Sequence, residues 1–203
     1  MSNAGVISIK SDILERPIFN IHQNLIDGCR NNDRKAQFKI YKLYYKAMYN
    51  TCLRIVNDTA EAEDIMQESF LDAFQRIGSY SGEGAFGLWL KRIVINRSLD
   101  YLRRAKEVVS LDEIQVDLPE DTEPDHEEEL KYQVHEIKEA ISRLPDEYRV
   151  SLSLFLLEGY DHQEISQILN ISNQLSRTRY SRARQKLLGI LRENRYKNVF
   201  SFN

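Results

Sequence analysis

Between residues 107 and 130 the chain carries eleven Asp or Glu side chains and no Lys or Arg. A segment that repels itself along its length, with Pro119 and Pro124 in it, cannot bury enough apolar surface to offset the entropy of ordering. It is expected to be extended and flexible, so it divides the chain. Residues 1–106 hold 16 basic and 12 acidic side chains, and residues 131–203 hold 12 and 8. The net charge of −3 therefore hides two mildly basic blocks joined by an acidic strap. The expected organisation is an N-terminal domain at 1–106, a linker at 107–130 and a C-terminal domain at 131–203. A chain of 203 residues is long enough for two such cores.

Hydrophobic spacing assigns both blocks to the all-α class, with no β-strand signal of any strength. A short apolar segment at 21–29 is followed by Asn31-Asn-Asp33, a good N-cap region. From Arg34 the residues Phe38, Tyr41, Tyr45, Met48, Cys52 and Ile55 recur at helical spacing and read as core. Asn57-Asp-Thr59 stops that helix and caps the next, whose apolar set runs from Ala62 to Ile77. Its polar side presents Asp64, Gln67, Glu68 and Asp72. First-turn acids favour the helix dipole, but Gln67, Glu68 and Asp72 lie too deep for capping, leaving a solvated face or a docking face. After a glycine-rich loop at 78–84 holding Tyr80, a helix from Phe86 to Arg104 is apolar nearly all round. It nevertheless carries Lys91, Arg92, Asn96 and Arg97. An aromatic loop leading into a basic, amide-bearing helix suits single-stranded nucleic acid, with bases in the loop and cations on phosphates.

In the second block, Leu144-Pro145-Asp146-Glu147 is a turn with a Pro and an acidic helix start; 152–157 forms the supporting helix, and Gly159 closes it. Asp161 caps a short helix with Ile165, Ile168 and Leu169 inward, and 170–173 breaks it with residues that favour turns and caps. In the following helix Tyr180, Ala183, Leu187 and Leu191 form one stripe. Arg177, Thr178, Ser181 and Arg182 lie opposite, with Arg179 and Arg184 at the flanks. Two short helices with the second apolar behind and basic in front describe a helix-turn-helix. The bland account is a solvated amphipathic face; the choice of Arg over Lys, with hydroxyls among them, favours DNA.

Ala62-Glu-Asp-Ile-Met-Gln-Glu-Ser-Phe70, then Trp89-Leu-Lys-Arg-Ile-Val-Ile-Asn96 through Asp100-Tyr-Leu-Arg103, then Leu144-Pro, Gly159-Tyr, Glu164-Ile and Ser181-Arg-Ala-Arg184 occur in order. Together they resemble the bacterial RNA polymerase sigma factors of the extracytoplasmic-function (ECF) type, over about residues 21–192. The resemblance implies that Asp64, Gln67, Glu68 and Asp72 dock on core RNA polymerase. It implies that Tyr80 and Phe86, in the loop at 78–86, with Lys91, Arg92, Asn96 and Arg97, take a single-stranded −10 element. Arg177, Thr178, Ser181, Arg182, Arg179 and Arg184 would read the −35 element of promoter DNA as duplex. The strap would thread the polymerase near its RNA path, and an anti-sigma factor would be a partner. One departure is Gln174-Leu175, where the family often has Gly or Ser followed by Thr; Asn173 is then the expected helix cap.

No nucleophile–base pair, metal cluster or phosphate-binding glycine motif occurs, so neither catalysis nor a cofactor is expected. A regulator that binds DNA without polymerase would explain 144–191 and leave the first block without a role. Cys29 and Cys52 read as buried thiols in a reducing cytoplasm, and no membrane insertion is expected. Opposite charges on a short tether favour partial, salt-sensitive closure of the blocks, with the strap screening Arg177 and Arg182.

Overall fold

The computed structural model describes residues 21–108 and 126–200, with side chains for 21–105 and 134–194. Among these residues every regular element is helical. The expected linker at 107–130 falls mostly outside them: helix reaches Val108 on one side and begins at His126 on the other.

Four helices make the first block: α1 (Gln23–Arg30), α2 (Arg34–Val56), α3 (Thr59–Gln75) and α4 (Phe86–Val108). Their ends follow the capping residues. Asp33 accepts from the Lys35 amide and Asp58 from the Glu61 amide, each satisfying a donor that the helix leaves open. Asn57 takes the left-handed conformation (φ 60°) that ends α2. α1 crosses α2 so closely that a Cβ on Gly28 would stand 2.6 Å from that of Ala36.

The buried stripe of α2 runs through Ala36, Ile40, Met48, Thr51 and Ile55, with Tyr44 half-buried on the same line. Phe38 is not part of it. Its ring is 60% exposed, with the Lys42 ammonium 5.6 Å from its centroid. The aromatic spacing Phe38, Tyr41, Tyr45 follows the edge of the stripe rather than its centre, so its first member falls outside the core. Cys29 and Cys52 are fully buried, and burial pushes both thiols up to about 11.

The second block comprises α5 (His126–Ser142), α6 (Asp146–Leu156), α7 (His162–Leu169) and α8 (Asn173–Phe200). The supporting helix begins at the acidic start expected at Asp146-Glu147 and so includes 152–156; Pro145 sits at its N-cap position and the two acids fill its first turn. Ala140, Ile141, Leu144, Leu152, Ala183 and Leu187 form its core.

The two blocks pack against each other. Val150, Leu154 and Ile165 of the second block belong to the core of the first. Arg149, 4% exposed, donates to the Ile55 carbonyl at 3.0 Å and to Asp146 at 2.8 Å. It thereby satisfies a carbonyl that the end of α2 leaves without an intrahelical partner. Asn57 Nδ2 donates to the Ser142 carbonyl at 3.1 Å. Among the described residues no helix is long and apolar enough to cross a membrane.

Candidate nucleic-acid interface

The helix-turn-helix forms through three local devices. Asp161 and Glu164 make a capping box at the start of α7, each side chain accepting from the other's end of the turn. Asn170 adopts the left-handed conformation (φ 52°) that stops α7. Ser172 then caps α8: its Oγ accepts from the Leu175 amide at 3.1 Å, and its carbonyl takes the Ser176 amide. The cap is therefore Ser172 and not Asn173, and Leu175 sits one turn in, where no capping oxygen is required. Asn173 is free for another task, and its Oδ1 accepts from Arg177 Nε at 2.9 Å.

His162 steadies this arrangement from behind. Its ring stacks on Phe155 at 4.6 Å and its Nδ1 lies 3.1 Å from the Oγ of the buried Ser176. Burial first and Arg177 second hold the imidazole below its ordinary pKa against the pull of Asp161.

With Ser176, Ala183 and Leu187 inward, the outward row of α8 is Gln174, Thr178, Ser181 and Gln185, flanked by Arg177, Arg182 and Arg184. All of these are exposed except Thr178, which is partly covered. Thr178 Oγ1 donates to the Gln174 carbonyl at 2.9 Å, so its hydroxyl proton is spent on the backbone and its methyl remains for a groove. Arg179 departs from the expected set. It turns back to Glu147 on α6, 3.4 Å away, with 26% of its side chain exposed. Gln174 and Gln185 are missed by a reading that follows charge, although their spacing from Thr178 and Ser181 is visible at 100° per residue.

The first block is different. Tyr80 and Phe86 are 2% and 1% exposed, so neither offers a face to an incoming base. They pack with each other and with Trp89, while Tyr44 meets Phe86. Tyr80 Oη donates to the Gly84 carbonyl at 2.6 Å, and its own carbonyl accepts from Arg30 at 2.7 Å. These aromatics shape the loop from inside, which corrects their expected role as base platforms. The two rings have aromatic neighbours on α2 and α4, and burying them is worth more than leaving them in water.

Of the four polar residues of α4 expected to meet a strand, Arg92 and Asn96 are exposed, in line with the exposed Leu88 one turn earlier. Lys91 and Arg97 point elsewhere. Lys91 Nζ lies 2.8 Å from Glu158 of the second block. Arg97 bridges Glu68 at 2.7 Å and Asp72 at 3.5 Å. On α3, Asp64, Gln67 and Glu68 are exposed beside Leu71, which is also open to solvent. Asp72 is buried between Arg76 and Arg97 and cannot serve as a docking contact. Its place in the helix looked outward because the partner that covers it, Arg97, comes from α4.

Two families match this chain: Sigma-70 region 2 over residues 40–108 and Sigma-70 region 4 over residues 135–187. The ECF RNA polymerase sigma factor SigW of Bacillus subtilis is 32% identical over 83% of this chain and 95% of its own length. SigM of the same organism is 33% identical over 73% and 91%.

The chain belongs to the ECF family of sigma factors.

As such it is not an enzyme but a factor that directs promoter-specific initiation by RNA polymerase. The sigma factor's fold agrees. RpoE of Bartonella quintana, solved with the anti-sigma factor NepR, superposes with a TM-score of 0.55 at 20% identity, over 76% of this chain and 95% of that one. The CnrH structure, solved with the cytosolic domain of CnrY, gives 0.53 at 18% identity, over 85% and 97%.

Proposed function

We propose that this sigma factor divides its work among three surfaces. The −35 element is read as duplex by the outward row of α8, with Arg177, Arg182 and Arg184 on phosphates or guanines and Gln174 on a base edge. The N-terminal residues of a recognition helix are those that reach base edges. Gln suits the paired donor and acceptor of adenine, and Arg suits guanine. Arg92 and Asn96, with Leu88 beside them, receive the single-stranded −10 element. Asp64, Gln67 and Glu68, around the exposed Leu71, dock on core polymerase. We assign the domain limits 1–106 and 131–203, a cytoplasmic site of action, and an anti-sigma factor as partner. That last assignment rests on the likeness to RpoE, whose structure includes one.

The single observation that carries this reading is the exposed row on α8 behind a fully formed helix-turn-helix. The regulator reading has no use for the region 2 match over α2 to α4. Reconstituting core polymerase with the purified chain and sequencing the transcripts it initiates tests the proposal. Start sites preceded by a shared pair of elements are expected, with Arg182→Ala degrading the upstream one. Initiation without any shared upstream element would overturn the assignment of α8.

A further inference from the structure

Glu158 is the most thoroughly captured charge among the described residues. It follows α6 in the turn where Gly159 adopts φ 80°, and its side chain is 1% exposed. Every group that holds it comes from the other block. Its Oε1 faces Thr51 Oγ1 at 3.1 Å and Arg54 Nε at 3.0 Å, and Arg54 Nη2 closes on the same oxygen. Its Oε2 faces Lys91 Nζ at 2.8 Å. Thr51 and Arg54 lie one turn apart on α2, and Lys91 lies on α4, so two helices of one block aim two cations at one point, beside the Thr51 hydroxyl, whose single proton the Ala47 carbonyl also claims at 3.1 Å. Burial alone would raise the Glu158 carboxyl, but Lys91 and Arg54 together outweigh it and hold it below the ordinary range.

The donor set is not specific to a carboxylate. A guanidinium fork, an ammonium and a hydroxyl match the oxygens of a phosphodiester at least as well. Lys91 is also next in sequence to Arg92, and Asn96 stands one turn beyond Arg92 on the outward side of α4. A strand lying on Arg92 and Asn96 would bring its backbone to the edge where Glu158 now sits.

We propose that Thr51, Arg54 and Lys91 form an anion site of the first block that binds a backbone phosphate of the single-stranded −10 element, with Glu158 as its occupant while the blocks are packed together. The inference rests on the −10 reading of α4 and adds to it a site that Glu158 and DNA cannot share. Strand binding and separation of the blocks are then one coupled equilibrium. An acidic peptide is the competing ligand; the position beside Arg92 and Asn96 favours the nucleic acid.

The test uses the full chain and a short fluorescent single strand carrying the −10 sequence, read by polarisation across a salt series. Glu158→Gln keeps the volume and removes the competing charge. It is expected to tighten strand binding on the order of tenfold, within the usual span of coupled equilibria. Adding Arg54→Ala to that variant should cancel the gain and lower the salt slope by about one, and Arg54→Lys should restore the slope. Reconstituted holoenzyme provides a second readout that does not depend on the Gln variant folding. There Arg54→Ala should weaken open complexes with the same loss of slope.

Opening of Glu158→Gln by small-angle scattering without tighter strand binding would overturn the proposal, as would an unchanged slope in Arg54→Ala holoenzyme. Equal tightening toward polyglutamate would reassign the site to an acidic peptide. If Arg92→Ala and Asn96→Ala are silent as well, the −10 reading falls with it. If only the Arg54 and Lys91 variants are silent, that reading stands and the anion site alone is lost.

Discussion

The two surfaces proposed to meet DNA are prepared in opposite ways. On α8 the outward cations Arg177, Arg182 and Arg184 stand in solvent, and Arg177 is pre-oriented by Asn173 from its own helix. On α4 two of the three expected cations are bound to carboxylates of the same chain, Lys91 to Glu158 and Arg97 to Glu68 and Asp72. The aromatics of the adjoining loop are inside the fold. Packing of the blocks thus covers Lys91 on the face proposed for the −10 strand and leaves the outward row of α8 exposed. The expected screening of Arg177 and Arg182 by the acidic strap lies outside the described residues.

The largest effect that could break this contrast concerns Phe86. If it is a packing residue, Phe86→Ala should cost about 3–5 kcal/mol of stability, as large-to-small changes in a core do. Thermal or urea unfolding of the purified variant measures this. A variant with native stability and a specific defect in promoter opening would return Phe86 to the surface that meets DNA.

Next come the open cations of α8. Arg177→Ala and Arg182→Ala should each weaken duplex binding by about 1–3 kcal/mol where they touch a base, and relax preference at that position. Titration of a −35 duplex with holoenzyme, over a panel of single base changes, separates base reading from phosphate contact. Uniform weakening across the panel would mean that these arginines position the helix without reading it.

Smaller still is the cap. Ser172→Ala should destabilise the second block by about 1 kcal/mol, whereas Asn173→Ala should leave stability nearly unchanged and affect DNA binding through Arg177. Paired unfolding and binding curves distinguish the two; the opposite pattern would put the cap at Asn173 after all.

The smallest expected change is in stability at the docking face. Asp64→Ala and Gln67→Ala should each alter folding by no more than about 0.5 kcal/mol while lowering affinity for core polymerase. Normal polymerase binding by the double variant would remove these residues from the interface.

The helices, their caps and the helix-turn-helix were legible because they depend on neighbours three or four residues away. Asp33, Asp58, Asp161 and the stripe Ala183–Leu187 are all local events. The errors share a cause of another kind. Asp72, Lys91, Arg97 and Arg179 have polar outward-looking positions on their own helices, and each is claimed by a residue from another element, Lys91 by the turn after α6 across the blocks. Periodicity gives the direction of a side chain but not the partner that meets it. Phe38 errs the other way: its spacing suited a core that runs along a neighbouring line of α2. Asn173 was displaced as a cap by Ser172 because the turn after Asn170 is one residue shorter than the composition suggested.

The two cysteines have a consequence for chemistry in the cell. A thiol held at about 11 is ionised in roughly one molecule in ten thousand at neutral pH, and the thiolate is the form that peroxides and alkylating agents attack. Cys29 and Cys52 are also sealed from solvent. Native protein should therefore resist thiol labelling and show fast modification only after unfolding, so an oxidant that activates this transcription programme would have to be sensed by another molecule.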